Sequence, residues 1–405
     1  MLSGVQAQIA PASAALSGAD HPMTSTTVPG ISRRRFSGFV AGVAALGAPS
    51  LRAQSGNRIM LGQSAAFTGP AAQLGIQFHA GAKLFFDQLN GQGGVNQQRV
   101  EILQLDDGYE PDRCAENTNK LISADVFSLF GYIGTPTSVA ALPLAFKADM
   151  PFFAPFTGAM GLRQPFNRLA FHLRASYNDE TELIVRQLTN LGLKKIAVFH
   201  QNDAYGKAGL DGTVLALKSR NLEPVATATV ERNSVDVAQA VEKINAAKPD
   251  AVVQISAYKS CAAYIRAAKA AGYGGTFYNV SFVGTQALAD ELGKDGAGVV
   301  VSQVMPTPYS GSKPISREFQ EAIVKGGNKV QANFSSMEGF LAARLFTEGL
   351  RRSGSRITRD GLISGLESIG TTSIGGYSVS LSPTNHVASR YAELSMLTGD
   401  GRVRT

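Results

Sequence analysis

Apolar residues along the chain follow two alternating spacings. Short apolar runs such as 58–63 and 100–105 have the length of β-strands, whereas segment 71–90 spaces its apolar residues as one face of a helix does. Runs 196–199 and 251–255 are apolar enough to be strands that are buried on both faces. The regular alternation of strand and helix predicts parallel sheets with right-handed crossovers.

The predicted elements fall into two series, each with enough strands for a sheet of its own. The first series has strands at 58–63, 100–105, 126–131 and 151–153 and helices at 71–90, 112–123 and 137–148. The second has strands at 195–199, 224–230, 251–256 and 276–280 and helices at 179–191, 206–220, 234–247 and 259–271. Beyond residue 300 the pattern loosens into helices near 315–326, 336–352 and 359–367 and strands near 377–381 and 391–397. The predicted fold class is α/β, with two Rossmann-like lobes built on parallel central sheets.

The N-terminal segment has the pattern of an export signal. Three arginines at 33–35 precede an uncharged apolar run at 36–51, which is short for a membrane span. Paired arginines, a short apolar run and a small residue at Ala53 indicate a twin-arginine signal over 1–53 that is cleaved near Ala53. We therefore expect a periplasmic protein, and Met23 is an alternative start of translation.

Composition narrows the class of protein. Of the 405 residues, 44% are hydrophobic and 17% are charged, which is an ordinary globular balance. The length indicates two or three domains. Part of the formal charge of +7 lies in the N-terminal arginines, and the remaining weak excess contains no basic run, so no nucleic-acid partner is expected.

One strand end carries a candidate anion site. The segment Thr135-Pro136-Thr137-Ser138 offers Thr135 as an N-cap and Pro136 as the first helical residue. Free N–H groups of Thr137 and Ser138, together with the hydroxyls, would hold an anion at this helix N-terminus. A capped helix without a ligand uses the same residue types and is the alternative.

Motifs of common enzymes are missing from the sequence. It contains no G-x-S-x-G elbow, no Walker loop and no G-x-G-x-x-G after the first strand, and its five His residues form no metal spacing. We therefore expect no enzyme, no metal and no cofactor. An enzymatic alternative would draw its catalytic groups from His200, Asp203 and Asp179.

A series of short markers resembles one family. The markers are Thr68-Gly69-Pro70 followed by Gly75, Gly93-Gly94-Val95, Asp106-Asp107 with Pro111, Tyr205-Gly206, and the run 266–272. Their order and spacing resemble type I periplasmic substrate-binding proteins of ABC transporters, of the leucine/isoleucine/valine-binding kind. The resemblance implies two lobes joined by a three-crossing hinge, the periplasmic binding protein-like I fold. It also implies the lobe boundaries, which are 57–175 plus 305–390 for lobe one and 176–304 plus 391–405 for lobe two.

The resemblance further implies a set of polar ligand contacts. Thr135 stands at the position that holds the ligand carboxylate, and Thr137 belongs to the same helix start. Gly158 stands where many members have a hydroxyl residue, and the neighbouring Thr157 offers one. Asp179 matches an acid that pairs with a ligand ammonium, with a helix cap as the alternative role.

The remaining positions concern the side-chain pocket and the second acid. Ser281 stands where amino-acid binders have an acid. The pocket positions implied by the resemblance are Leu74, Phe156, Tyr205, Tyr258 and Phe334. A shift of one residue would replace Tyr258 with Ala257, and core packing is the alternative role for Leu74 and Phe334.

The cysteines depart from the family pattern. The family's small disulfide would join the positions of Tyr109 and Gly134, so both of its partners are replaced together. Cys114 and Cys261 lie in helical patterns with no metal or redox spacing. The register puts them in different lobes, so we expect two free thiols.

The function implied by the resemblance is solute capture. We expect a monomeric extracytoplasmic protein that binds a small carboxylated solute, such as an amino acid or aromatic acid, and delivers it to an ABC permease. Because Ser281 replaces an acid, carboxylates without an α-ammonium are expected to bind better than the matching amino acids. A sensor that presents a bound amino acid or amide to a receptor or regulator is the alternative, and an enzyme is a more distant one.

Overall fold

The computed structural model describes residues 58–405, so the predicted export signal and its cleavage position lie outside the described residues. The α-helices of this range are α1 (Ala72–Gly91), α2 (Pro111–Ser123), α3 (Thr135–Lys147), α4 (Tyr177–Asn190), α5 (Ala204–Lys218), α6 (Ala238–Ala246), α7 (Tyr258–Ala270), α8 (Thr285–Leu292), α9 (Pro314–Lys325), α10 (Phe334–Arg352) and α11 (Arg359–Glu367). None of these helices is long and apolar enough to cross a membrane.

The strands of the described range alternate with these helices as the sequence predicts. They are β1 (Arg58–Ala65), β2 (Arg99–Asp106), β3 (Ser128–Phe130), β4 (Phe152–Phe153), β5 (Ala170–Phe171), β6 (Ile196–Gln201), β7 (Ala226–Val230), β8 (Ala251–Ile255), β9 (Thr276–Asn279), β10 (Val300–Gln303), β11 (Gly370–Ile374), β12 (Tyr377–Leu381), β13 (Glu393–Leu397) and β14 (Val403–Arg404). They form two larger sheets, called here the first and second sheet, and a separate β11–β12 hairpin.

The first sheet is wholly parallel and has the strand order β2-β1-β3-β4-β5. Helix α1 and helix α10 pack closely beside it, and two glycines permit their contact. A Cβ on Gly81 would lie 1.8 Å from the Ser336 carbonyl oxygen, and one on Gly339 would lie 1.9 Å from that of Phe78. Neither position can therefore carry a larger residue without separating the two helices.

The second sheet has the order β14-β13-β10-β9-β8-β6-β7. Its strands from β10 to β7 run parallel, whereas β13 and β14 are antiparallel additions at one edge. Every residue of β8 is buried, Gln254 included, which confirms the prediction that this strand is buried on both faces.

The chain passes between the two sheets three times. It leaves the first sheet after β5. After β10 it returns to the side of that sheet, where α9 and α10 pack against α1, and it enters the second sheet again before β13. Two of these crossings lie side by side: the His172 N–H donates to the His386 carbonyl (2.8 Å), and the His172 carbonyl accepts from the Ala388 N–H (2.8 Å). The predicted three-crossing α/β fold is confirmed, while the exact lobe boundaries stay a prediction.

Candidate ligand-binding site

The loops after the strands of the two sheets meet each other. Tyr109 follows β2 of the first sheet, and its hydroxyl accepts a hydrogen bond from Nε2 of Gln201, the last residue of β6 in the second sheet (3.2 Å). Arg232 follows β7 and forms an ion pair with Glu110 (2.9 Å). The carboxyl ends of parallel strands are where α/β sheets bind ligands, so this meeting line is the candidate site.

Five aromatic side chains fill the centre of this line, and they are called here the cleft cluster: Tyr109, Phe156, Tyr177, Tyr205 and Phe282. The ring of Phe282 lies 5.7 Å from those of Tyr109 and Phe156 and 4.5 Å from that of Tyr205. Tyr177 lies 5.4 Å from Tyr205. All five are buried, and they come from both sheets. The predicted pocket residues Phe156 and Tyr205 are therefore brought together.

The start of α3, which the sequence predicts to be an anion site, differs in detail from that prediction. The N-cap of α3 is Gly134, with φ of 99°, so the prediction of Thr135 as N-cap is wrong by one residue. A Cβ on Gly134 would lie 2.2 Å from Cε2 of Tyr109, so the close contact and the positive φ both favour glycine. The two positions where the family would have its disulfide are thus neighbours in space.

The first turn of α3 satisfies several of its own polar groups. The Ser138 N–H donates to the Gly134 carbonyl (3.1 Å). The prediction that this amide is free to bind an anion is therefore wrong. The Thr137 hydroxyl donates to the carbonyls of Ile133 and Gly134, which gives it a structural role. Thr135 faces Thr157 instead, with 2.6 Å between their hydroxyl oxygens.

Four buried hydroxyls near the carboxyl ends of strands have no hydrogen-bond partner among the described residues. They lie in the first turns of α3, α5 and α4 and just after β8: Ser138 Oγ, Tyr205 OH, Tyr177 OH and Ser256 Oγ. Buried polar groups are nearly always paired, so these atoms mark where ligand oxygens or water belong. Burial raises the pKa of Tyr205 well above its usual range, so its hydroxyl stays protonated and can donate.

The space beside Gly158 is filled by Tyr177. A Cβ on Gly158 would lie 2.6 Å from both the backbone nitrogen and Cδ1 of Tyr177. Burial raises the pKa of Tyr177, and the hydroxyls of Thr157 and Thr135 beside it act in the opposite direction. Since Tyr177 fills this space, a side chain at position 158 would collide with it.

The carboxylate of Asp179 takes part in a helix cap. Its Oδ2 accepts hydrogen bonds from the backbone N–H (2.9 Å) and the hydroxyl (2.5 Å) of Ser176, the N-cap of α4. The Ser176 hydroxyl in turn accepts from Asp179 N–H (3.1 Å). This reciprocal arrangement is a capping box, which is the alternative role considered for Asp179 from the sequence.

A buried ion pair that the sequence reasoning missed lies next to the cleft cluster. The Arg174 guanidinium donates to both carboxylate oxygens of Glu338, at 2.8 and 2.6 Å, and to the Ser281 hydroxyl at 3.1 Å. Its Cζ lies 3.9 Å from the centre of the Phe156 ring. Burial opposes the charge on Arg174, but Glu338 outweighs this and raises its pKa. We call these residues, with Glu180 and Ser302, the Arg174 network.

Glu180 completes the Arg174 network. It accepts hydrogen bonds from the backbone N–H (2.7 Å) and hydroxyl (3.1 Å) of Ser281 and from the Ser302 hydroxyl (2.6 Å). Burial raises the pKa of Glu180, while Arg174 and these donors lower it. Ser281 thus connects the buried cation Arg174 to the buried acid Glu180. By the family resemblance, Ser281 is the residue that replaces a second ligand-binding acid.

The other predicted pocket residues have contacts with residues outside the cleft cluster. Leu74 packs where a Cβ on Gly284 would come within 2.4 Å of its Cδ2. Tyr258 is the first residue of α7 and interacts with the backbone of Gln73. Phe334 packs edge-on against Tyr309 at 5.7 Å. Their roles as ligand contacts stay predictions.

The groups named for an enzymatic alternative have structural partners. Asp203 caps α5 by accepting from the N–H groups of Tyr205 and Gly206, and His200 Nδ1 lies 3.1 Å from the Gln201 carbonyl oxygen. Within residues 58–405 no cluster of His, Cys, Asp and Glu could hold a metal ion. Cys114 and Cys261 are buried free thiols, as expected.

A cavity of about 480 Å³ leads from the outside to Thr135. It lies between α3, which follows a strand of the first sheet, and α5, which follows a strand of the second sheet. Its lining includes the apolar residues Val139, Met160, Ala208 and Leu215. Lys207 and Asp211 also line it, so the cavity is a partly apolar opening that reaches Thr135.

Two α/β halves that enclose buried hydroxyls and aromatics between their strand ends define a ligand-binding protein of the two-lobe class. The chain matches the family described as periplasmic binding protein over residues 58–402, and it belongs to that family. The resemblance inferred from the sequence markers is thereby confirmed.

Several known proteins are similar to this chain. A possible leucine/isoleucine/valine-binding protein from Rhodopirellula baltica is 32% identical with a TM-score of 0.80, over 85% of this chain and 95% of that one. A substrate-binding periplasmic protein from Ralstonia solanacearum is 29% identical with a TM-score of 0.80, over 85% and 99%. Leu/Ile/Val-binding protein homolog 7 of Brucella melitensis is 25% identical over 313 residues, covering 73% of this chain and 77% of its own.

Proposed function

We propose that the protein captures a small carboxylate without an α-ammonium between its two lobes and delivers it to an ABC permease outside the cytoplasm. The proposed lobes are 57–175 plus 305–390 and 176–304 plus 391–405. The carboxylate would lie near Thr135, Thr157, Ser138 and Tyr205, with its apolar body against the cleft cluster.

The observation that carries this proposal is the internal guanidinium of the Arg174 network. Arg174 neutralises Glu338 and also donates to Ser281, so the protein supplies its own cation beside Phe156. The carboxylate of Asp179 is bound within the α4 cap. Glu180 already accepts three hydrogen bonds from the serines of the same network. An ammonium enclosed here would therefore find no carboxylate without donors of its own, and an unpaired buried charge costs several kcal/mol.

The hydroxyls favour an anion in the same place. Ser138 and Tyr205 each have a buried hydroxyl that lacks a partner among the described residues. Hydrogen bonds to a charged acceptor are stronger than neutral ones, so a ligand carboxylate would satisfy these donors well. The N-terminus of α3 adds roughly 0.3–1 kcal/mol for negative charge.

Transport is supported by the relatives. The similar proteins from Rhodopirellula baltica and Brucella melitensis carry names that refer to leucine, isoleucine and valine binding. These names support uptake of a small organic solute, and they make branched amino acids the comparison ligands for any test.

Matched ligands test the proposal. In calorimetric titrations we expect phenylacetate to bind more tightly than L-phenylalanine, and 4-methylpentanoate more tightly than L-leucine. Tyr205→Phe should weaken phenylacetate binding by about 1 kcal/mol, the value of one hydrogen bond. Tyr264→Phe is the control, because Tyr264 also has a buried unpartnered hydroxyl in the described chain but stacks on Phe199 in the second sheet. Tighter binding of the amino acids, abolished by Asp179→Asn, would contradict the proposal.

A further inference from the structure

A second cavity lies beside the adjacent chain crossings. It has a volume of about 350 Å³, within the range of small-molecule sites. Its walls come from the 3-10 turn Met160–Leu162 and the loop after it, from the crossing that leads into α4, and from residues 384–390 before β13. Of the predicted ligand-binding residues, only Asp179 lines it.

Arg163 is the buried cation of this cavity. Its Nη atoms donate to the carbonyls of Ala159 (2.9 Å), Thr157 (3.1 Å) and Arg174 (3.1 Å), while its Nε–H has no partner among the described residues. The residue is 7% exposed, and no carboxylate of residues 58–405 lies within ion-pair distance of it. A buried guanidinium with neutral partners is costly, and an anion would offset that cost.

His172 supplies the complementary group. Its Nε2 lies 3.1 Å from the Leu162 carbonyl oxygen and must therefore carry the proton, which leaves Nδ1 as an acceptor. Nδ1 is buried and has no donor among the described residues, and the residue is 3% exposed. Burial and the nearby Arg163 lower the pKa of His172 well below its usual range, so the ring stays neutral.

The unpaired atoms define the ligand chemistry. The charged side chains lining the cavity are Arg163, Arg390 and Asp179, which leaves one net positive charge. We propose that this cavity, called here the hinge cavity, is a second binding site for a small hydroxycarboxylate. The carboxylate would accept from Arg163 Nε–H with Arg390 at the rim, and the hydroxyl would donate to His172 Nδ1.

The hinge cavity is connected to the cleft through one side chain. Arg163 holds the backbone carbonyl of Thr157 through its Nη2, and the Thr157 hydroxyl bonds to Thr135. An anion that pulls on Arg163 Nε would therefore change the position of Thr157. Since coupling between two sites is reciprocal, a hydroxycarboxylate should alter phenylacetate affinity, and phenylacetate should alter hydroxycarboxylate affinity by the same factor.

Glycolate and acetate are the probes, because they differ by the hydroxyl. NMR of the full chain reports on each wall separately, through the Nε–Hε resonance of Arg163, identified with Arg163→Lys, and the Nδ1 resonance of His172. We expect glycolate to move both resonances and acetate to move only that of Arg163. Both effects should persist with saturating phenylacetate, at glycolate concentrations that change only by the coupling factor.

Variants at the rim provide the affinity test. Arg390→Gln should weaken glycolate binding about two- to fivefold, and Arg390→Glu should weaken it further, as expected for loss and reversal of an exposed charge. The control is Arg356→Gln, because Arg356 is also exposed but does not line the cavity. Unmoved resonances, Arg390→Glu binding as tightly as the wild type, or loss of the glycolate shifts on adding phenylacetate would each overturn the proposal. A failure of phenylacetate to bind would count only against the proposed function of the cleft.

Discussion

Arg174 and Glu338 are single residues whose pairing depends on burial. The side chains are only 1% and 3% exposed, so removing one partner leaves a buried charge without compensation. We expect Arg174→Met to lower the free energy of unfolding by about 3–5 kcal/mol. Urea unfolding followed by circular dichroism measures this change.

Two comparisons isolate that effect. The double variant Arg174→Met/Glu338→Leu should recover most of the lost stability, since replacing a whole buried pair with apolar residues is often neutral. Arg352→Met breaks the half-exposed pair with Glu348 at 2.7 Å and should cost only about 0.5 kcal/mol. If Arg174→Met were no less stable than Arg352→Met, this would contradict the role assigned to the buried pair.

The titration of His79 makes the stability of the fold depend on pH. Burial, with a contribution from Lys83, lowers its pKa from 6.5 to about 4. His79 therefore binds a proton more readily in the unfolded chain than in the folded chain. The free energy of unfolding consequently falls as the pH falls from 6.5 towards 4. His79→Gln should remove about 2–3 kcal/mol of the difference between unfolding free energies at pH 7 and pH 4.5.

The titration of Asp107 changes the free energy of unfolding in the opposite direction over the same pH range. Burial raises its pKa from 3.8 to about 6, so the folded chain gains stability as pH falls through this window. Because Asp107 is unchanged in His79→Gln, the difference between variant and wild type isolates the histidine. Parallel stability curves for the two proteins would refute the assignment to His79.

At the scale of an element, the first turn of α4 separates two roles of Asp179. The capping box predicts that Asp179→Ala loses about 1 kcal/mol of unfolding free energy, while Asp179→Glu retains most of it, because Glu is favoured at this position of the box. Phenylacetate affinity, measured by calorimetry at a temperature where all variants are folded, should not change. A large loss of affinity in Asp179→Glu would instead indicate that this carboxylate contacts the ligand.

Long elements with a clear period were predictable, and short ones were not. Helix α1 and strand β8 lie within one or two residues of their predicted bounds, because each has a continuous apolar pattern. Strand β5 has two residues, and β10 lies where the apolar pattern loosens, so neither has a period to detect. Helix α3 begins one residue earlier than its capping pattern indicated, because Gly134, with a positive φ that favours glycine, serves as the N-cap.

The site was predictable where residues follow strands and not where distant residues pair. Thr135 was singled out because it follows a strand, where parallel sheets bind ligands, whereas Phe156 and Tyr205 were predicted as pocket residues from the family resemblance. Arg174 and Glu338 are 164 residues apart in sequence, so their pairing leaves no local pattern. One signal was present: Arg174 interrupts an apolar stretch at 169–175, and a charge in such a stretch indicates a buried partner.

At the scale of the whole molecule, the contacts between the two sheets predict a closing motion. Arg232 with Glu110, and Gln201 with Tyr109, join the two sets of loops around the cleft cluster. A ligand that contacts both sides should favour this closed arrangement. We expect small-angle X-ray scattering to show a smaller radius of gyration with saturating phenylacetate than without it. An unchanged radius would argue against a two-lobe clamp.

The central claim concerns what the protein carries when it is isolated from its own cells. The protein is purified without denaturation from an extracytoplasmic extract, the bound solute is released by acid, and mass spectrometry identifies it against the same preparation of Tyr205→Phe. The account predicts a small carboxylic acid without an amine, present in the wild type and depleted in the variant. An α-amino acid as the bound solute would contradict it.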